Sequence, residues 1–396
     1  MGQGLAFLKK KTGAANMDAI RIDSNFCTVR DLQINGNHVG FSGIVIRGFY
    51  NKVMDCRSFD NGGCGILLDG QTSTCQYNTV ESCVCTGNAE VGIGQNTALA
   101  SRILGNICQD NNLEGITIDL PSYRSIVDGN QVIGNCRTGG VGGIGIDQAY
   151  LTVISNNLVS GTMSAKPGLT FQCNVGDTTY CTVTGNIFVD NANGGIWLKK
   201  TGAYYSGFNV IDGNIFLNNG GKSITIDAGC NNNILGNNQY QGVWPADNGD
   251  NNRKAAGSVF FRVANNTVRS NVTGDGTWYS VPFEVEQADP ENRVVAGVFT
   301  APTKGLYSFQ AAVRMAGGAS HTWAQLSITS VGSASYSAFF GVEVDAESIF
   351  PLAGATTFQL MQGDTVRVDV RVGGGTKTLR VEASVNECWF TGHLIG

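Results

Sequence analysis

The stretch GNICQDNNLEGITID, residues 105–119, decides the fold. It holds two strand-like pieces, Asn106–Gln109 and Ile116–Asp119, parted by a polar turn around Asp110, Asn111 and Asn112. Both halves recur along the chain. The second half reads small residue, Ile, any residue, aliphatic, polar. It appears at Ala19–Asp23, Gly43–Arg47, Gly65–Asp69, Gly115–Asp119, Gly143–Asp147, Gly195–Lys199 and Ser223–Asp227, with looser copies at Gly92–Asn96 and Gly168–Gln172. The steps between final positions are 24, 22, 27, 23, 28, 25, 27 and 28 residues. The first half recurs as Gly105–Asn111, Gly129–Asn135, Gly185–Asn191 and Gly213–Asn219, with related copies ending at Asn37, Asn61 and Asn88. Each repeat thus holds two or three short alternating strands between Gly/Asn turns, with no helical period. Such strands cannot bury their apolar faces alone. Stacked coil on coil they form parallel sheets around one interior, a β-helix. One inward column is expected to read Ile34, Ser58, Cys85, Cys108, Val132, Val159, Phe188, Phe216. Gly and Asn at the turns are expected to supply left-handed backbone conformations.

Composition agrees with this geometry. The chain has 396 residues, enough for two or three domains, with 54 Gly, 7 Pro and 42% hydrophobic residues. That apolar content excludes intrinsic disorder, and the glycines lack the three-residue period of collagen. Charged residues are only 14%, against about 25% in an average soluble protein. A formal charge of −5 without Lys/Arg clusters argues against nucleic acid as a partner. No run approaches the roughly 18 apolar residues of a membrane span, and MGQGLAFLKKKTG lacks a signal-peptide core. Of the 12 cysteines, only Cys388 lies beyond residue 230. No paired Cys-x-x-Cys motifs with downstream histidines occur, so no metal site is expected; the cysteines read as reduced, buried side chains. No cofactor is expected either.

The repeats resemble the right-handed parallel β-helix of pectate-lyase-like proteins and phage tailspikes, over about residues 15–245. After residue 245 the coil repeat fades into a polar linker, 246–257, and residues 258–396 read as eight or more strands without a coil period. Within them Phe299-TAPTK-Gly305-Leu-Tyr307-Ser-Phe309, Leu360-Met-Gln-Gly363-Asp364-Thr-Val366-Arg-Val368 and the terminal Phe390-Thr-Gly-His-Leu-Ile395 are similar, in that order, to signatures of the complement globular-head and tumour-necrosis-factor-like jelly roll. That resemblance implies a homotrimer with apolar side chains along a three-fold axis. The fold class expected is all-β: a right-handed parallel β-helix, 1–245, then a jelly-roll sandwich. The combination resembles bacteriophage tailspikes, and what the resemblance implies is a virion-tail protein, made in the host cytoplasm, that binds a bacterial surface polysaccharide outside the cell. Tailspikes carry an N-terminal virion-attachment domain, whereas this sequence enters the coils by about residue 19; the expectation is either a β-helix trimmed at its N-terminus or an attachment module on another protein.

Successive coils lie about 4.8 Å apart, so the polar column Asp23, Arg47, Asp69, Asn96, Asp119, Asp147, Gln172, Lys199, Asp227 can be searched for paired carboxylates. Asp119 and Asp147 fall on neighbouring rungs, and Asp69 two rungs from Asp119. Glycoside hydrolysis uses carboxylates about 5–5.5 Å apart for retention and about 6.5–9.5 Å for inversion, so both spacings are on offer. Glu114, at the start of the strand that ends in Asp119, is a further candidate. The segments after the two aspartates place Tyr123, Arg124 and Tyr150 nearby, where rings can stack on sugars and Arg124 can hold an acidic group. Trp197 faces outward from its coil, either as subunit packing or as a sugar platform. Structural roles compete throughout, because Asp at a strand end commonly accepts backbone N–H bonds of the next turn. A lyase acting on a uronate polymer, with Tyr123 or Tyr150 as base and Arg102, Arg124 or Arg137 as neutralising cation, and a glycan-binding spike without turnover are the alternatives.

Overall fold

The computed structural model describes residues 6–11, 17–71, 75–241, 245–249, 252–254, 259–289, 293–317, 321–333, 335–343 and 349–395, and among these no helix occurs. The chain forms two compact units, Met1–Asn252 and Arg253–Gly396.

The first unit is a parallel β-helix of three ten-stranded sheets, with a fourth, four-stranded sheet inserted in the middle coils. The register follows the repeat. Ile93 pairs with Ile66 and Ile116, and Ile144 with Ile116 and Leu169. The inward column runs from Ile34 through Ser58, Cys85, Cys108, Val132, Val159 and Phe188 to Phe216, paired rung by rung. All of these are fully buried. At the C-terminal end the column turns aromatic, with Phe188, Phe216 and Tyr240 stacked at 5.3 and 5.4 Å. Glycine opens the Ile strands because the neighbouring coil's inward side chain passes there. A Cβ on Gly195 would lie 2.3 Å from Cδ1 of Phe216, and one on Gly115 2.5 Å from Cγ1 of Val132. All twelve cysteines are free, and all but Cys27 are buried.

Asparagine takes two roles: Asn156, Asn218 and Asn232 are left-handed, with φ of 54, 50 and 60°, as expected, whereas the recurrent asparagine of each Gly-Asn step is not. The left-handed residue is the one before each: Gly105, Gly129, Gly185 and Gly213 have φ of 61, 66, 65 and 66°. The asparagine side chains instead point inward and form ladders between coils. Asn106 donates through Nδ2 to Oδ1 of Asn130, Asn130 to Asn157, Asn157 to Asn186, each at 2.9 Å. Each Oδ1 also accepts the backbone N–H of the preceding rung's asparagine, as Asn130 does from Asn106 at 2.8 Å. A second ladder joins Asn61, Asn88, Asn111 and Asn135. These bonds satisfy backbone groups at the corners, where sheet pairing lapses.

The coil continues into the segment expected to be linker. Ala246–Asp247 pairs in parallel with Thr225–Ile226, and Asn252 accepts from Asn233 at the end of a third ladder. Of the expected linker, residues 250–251 and 255–257 lie outside the described residues.

The second unit has two antiparallel sheets. One centres on Gly305–Ala316, flanked by Ile349–Leu360 and Trp389–Leu394; the other centres on Thr365–Gly373 and Trp323–Val331. Their facing sides alternate apolar residues into one core. The aromatic residues of the quoted motifs belong to it. Phe299, Tyr307, Phe309 and Phe390 are fully buried and pack ring on ring, and Tyr307 donates its hydroxyl to the Thr303 carbonyl at 2.7 Å. They build the unit's own interior.

Candidate active site

Asp119 closes the strand Ile116–Asp119, and its coil is paired through Asn96 to Asp69 and through Ile118 to Ile146, the residue before Asp147. The column expected from sequence is therefore real. Around Asp119 it opens into a cleft of about 300 Å³, lined by Asn96, Glu114, Thr117, Asp119, Asp147, Gln172 and Asn174, with Leu120, Val141 and Ile146 as its apolar part. Three of the four expected carboxylates thus meet.

Their environments differ. Asp119 is pushed up to about 7, first by burial and then by the charges of Glu114 and Asp147, against a hydrogen bond from Thr117. Asp147 accepts the backbone N–H of Asn174 at 2.8 Å. Burial raises its carboxyl too, while backbone N–H groups from the Asn174 turn oppose the shift. Glu114 is buried and raised by desolvation, and one carboxylate oxygen accepts the Val141 N–H at 2.5 Å. Val141 sits in the run Gly139-Gly-Val-Gly-Gly143, which wraps over the sheet beside Glu114. A Cβ on Gly140, whose φ is 91°, would come within 2.9 Å of Glu114 Oε1, so glycine permits the approach.

Asp69 is not brought into this cleft. Its carboxylate is held by Arg47, with both Nε and Nη2 at 2.8 Å, and also accepts the Gln71 N–H. Arg47 occupies the same polar column one coil earlier, so this pairing was legible. Trp197 lies farther up the same outward face. Its Nε1 donates to Asp227 at 2.9 Å and the Lys199 ammonium lies 4.3 Å from its ring centre. That ring is pinned and capped rather than open. Tyr123, Arg124 and Tyr150 line a separate recess of about 290 Å³ with Gln76, Tyr77, Leu99 and Ala100, on the next corner of the coil. Arg102 and Arg137 are exposed and line neither.

Sequence reading did not single out Thr117, Asn174 or the 139–143 glycine run. Thr117 was accessible, being the outward residue between Ile116 and Ile118. Asn174 and the glycine run belong to loops without a repeat to index them. Among the described residues, no group of three or more His, Cys, Asp or Glu side chains is arranged to hold a metal ion.

Comparison with known proteins places this geometry in a wider setting. The family model described as the right handed beta helix region matches residues 42–206, which include the whole cleft. No curated protein matches the sequence. Among solved structures, the A-module of the mannuronan C-5 epimerase AlgE4 from Azotobacter vinelandii is similar, with 15% identity and a TM-score of 0.48, covering 62% of this chain and 79% of that one. The globular domain of zebrafish complement 1qA is similar at 20% identity and a TM-score of 0.27, covering 35% of this chain and 98% of that one. Murine APRIL is similar at 11% identity and a TM-score of 0.28, covering 35% and 98%. The chain carries a right-handed parallel β-helix followed by an antiparallel two-sheet domain of jelly-roll type.

Proposed function

We propose that this chain is a phage tailspike-like protein that binds a bacterial surface polysaccharide, capsule or O-antigen, and hydrolyses it from within the chain. The observation that carries the reading is the cleft itself: Asp119, whose carboxyl is pushed up to about 7 by burial and by Glu114 and Asp147, stands beside Asp147, which backbone N–H groups hold in a fixed orientation. Asp119 gives its proton to the glycosidic oxygen as general acid. As the bond from the anomeric carbon to that oxygen breaks, Asp147 attacks or stabilises the anomeric carbon from the other side; water, giving a proton back to Asp119, then adds to that carbon and frees the new chain end. The backbones of the two aspartates lie one rung apart, about 4.8 Å; carboxyl groups that keep this spacing fall near the separation for retention, about 5–5.5 Å, so net retention is the expected outcome. Glu114 touches neither reacting atom in this scheme. It is a positioning residue, and its charge helps keep the proton on Asp119. Asp69, neutralised by Arg47, has a structural role.

Nothing lining the cleft is Arg, Lys, His or Tyr. A lyase needs a cation facing the uronate carboxylate, and the cleft side chains supply none, which favours hydrolysis.

The proposal includes a homotrimer. What supports it is a set of exposed rings on the outer side of one sheet of the second unit, Trp323 and Phe339 on paired strands with Trp278 6.0 Å from Phe339. Exposed aromatic surface of this kind commonly marks a protein–protein contact. Light scattering on the purified chain tests this, with three chain masses expected and a monomer contradicting it. The role as a virion component belongs to the same proposal and is tested by mass spectrometry of purified particles.

The catalytic assignment is tested with Asp119→Asn and Asp147→Asn on purified capsule or O-antigen, following chain length by size-exclusion chromatography. Each variant should lose depolymerisation by at least a hundredfold while keeping the fold and the wild-type solution mass. Full activity in both would overturn the assignment.

A further inference from the structure

One corner of the β-helix carries an exposed aromatic ladder, and the ladder lacks one rung. At this corner each coil places one residue in the left-handed conformation: Phe26, Tyr50, Tyr77, Ala100, Arg124, Leu151, Tyr180 and Phe208, all with φ between 48 and 59°. Backbone hydrogen bonds index them coil by coil, Tyr77 N to Leu99 O, Ala100 N to Tyr123 O and Arg124 N to Tyr150 O. Where the left-handed residue is not aromatic, the residue before it usually is. Tyr123 precedes Arg124 and Tyr150 precedes Leu151. Rings therefore follow one another: Phe26 on Tyr50 at 5.4 Å, Tyr50 on Tyr77 at 4.9 Å, then Tyr123 against Tyr150 at 6.1 Å, Tyr150 against Tyr180 at 5.3 Å and Tyr180 on Phe208 at 5.2 Å. From Phe26 to Phe208 the coil of Leu99 and Ala100 alone has no ring at this corner.

The recess of about 290 Å³ is the space that this ring would fill. Tyr77 stacks on Tyr50 at 11° between ring planes, so its opposite face turns toward the missing rung. Tyr123 and Tyr150 bound the far side. Two coil spacings, about 9.6 Å, separate the flanking rungs, which leaves room for one ring in contact on both sides. Two polar side chains reach the recess, Gln76 and Arg124, and neither makes a side-chain hydrogen bond or salt bridge among the described residues. An exposed, unpaired guanidinium beside an aromatic face matches a ring bearing a carboxylate or another anionic group.

We propose that this vacant rung is a subsite for one anionic pyranose of the polymer, a hexuronate or a similarly acidic sugar, inserted between Tyr77 and Tyr123 and held by Arg124. The inference rests on the reading of the protein as polysaccharide-binding. It adds to that reading an acidic sugar as the recognised unit, a few residues along the same coil from Asp119. The carboxylate cleft and the cationic recess then divide the labour, with bond cleavage in one and anchoring of the charged sugar in the other.

The test uses Ala100→Tyr, which supplies the missing ring. Its backbone conformation is the one Tyr50 and Tyr77 already adopt, so folding is expected to survive. Glucuronate- and galacturonate-containing hexasaccharides and neutral maltohexaose are titrated by calorimetry into wild type, Ala100→Tyr, Arg124→Gln and Asp119→Asn. At least one acidic hexasaccharide should bind wild type and Asp119→Asn alike, and maltohexaose at least tenfold more weakly. Ala100→Tyr should lose at least tenfold in affinity, with an unchanged or higher melting temperature. Arg124→Gln should bring acidic and neutral probes to within threefold of each other. Equal binding by Ala100→Tyr, equal binding of both probe classes by wild type, or no binding of any probe overturns the proposal. So does a change in solution mass on Ala100→Tyr, because the corner would then be a contact between copies of the chain. Failure of the catalytic assignment is read separately, as undiminished depolymerisation by Asp119→Asn with the probe binding intact.

Discussion

If Asp119 is held protonated by its surroundings, it is also a pH-dependent liability for the fold. Its carboxyl lies at about 7 in the folded chain against an ordinary 3.8. Well below pH 3.8 it is neutral in both states and contributes no difference. Between about pH 4 and 7 the unfolded chain has released this proton while the folded chain still binds it, so stability falls as pH rises. Above pH 7 the loss is complete, at about 4 kcal/mol from about 1.4 kcal/mol per pH unit. Replacing Asp119 by Asn removes the titrating group and keeps the shape. The variant should therefore come within about 1 kcal/mol of wild type at pH 4 and be more stable at pH 8 by about 4 kcal/mol. At about 2–4 °C per kcal/mol for a unit of this size, the melting temperatures should separate by about 8–16 °C at pH 8. Circular dichroism melts at the two pH values suffice. A separation that is absent at pH 8, or equal at both pH values, would refute the reasoning, because Asp119 would then be ionised in the fold like any surface carboxylate.

Three further outcomes follow from other parts of the molecule. Arg47→Met leaves the buried Asp69 carboxylate without its cation and should cost about 3–5 kcal/mol in urea unfolding at pH 7; a loss below 1 kcal/mol would show that Asp69 is not dependent on the pair. Asn130→Ala removes bonds to Asn157 Oδ1 and the Ile103 and Asp128 carbonyls and leaves the Asn106 N–H unpaired, so a cost of about 3 kcal/mol or more is expected, against about 1 kcal/mol if the ladder were ornamental. Thiol titration should find about one reactive cysteine in the native chain, Cys27, and all 12 after denaturation, and a reducing agent should not move the melting curve.

The fold was legible because it is periodic. Indexing Ile116–Asp119 against Ile93–Asn96 and Ile144–Ile146 gives the register directly, and the register places Asp119 beside Asp147. Composition alone could not distinguish the two roles of Gly and Asn. Gly105, Asp110 and Asn156 all take the left-handed position, while the asparagine that follows each turns inward to bond with the next coil. The site was legible only where it lies on the repeat. Asp119, Asp147 and Glu114 converge as expected, and Asp69 drops out because Arg47, its neighbour in the column, takes it up. Loops carried the remainder: Asn174 and Val141 enter the cleft from coils whose length departs from their neighbours, and no periodicity predicts where such a loop folds back. Tyr123, Arg124 and Tyr150, expected beside the two aspartates, line a separate recess, and that recess takes its shape from Ala100, a residue notable only against the rings above and below it.

The central claim is that two carboxylates on neighbouring rungs cleave a glycosidic bond. Proton magnetic resonance of capsule or O-antigen during digestion by the wild-type protein tests it most directly. New reducing-end anomeric signals should appear, first in the configuration of the bond that was cut. Olefinic signals from an unsaturated sugar, or no new chain ends after exhaustive incubation, would contradict it.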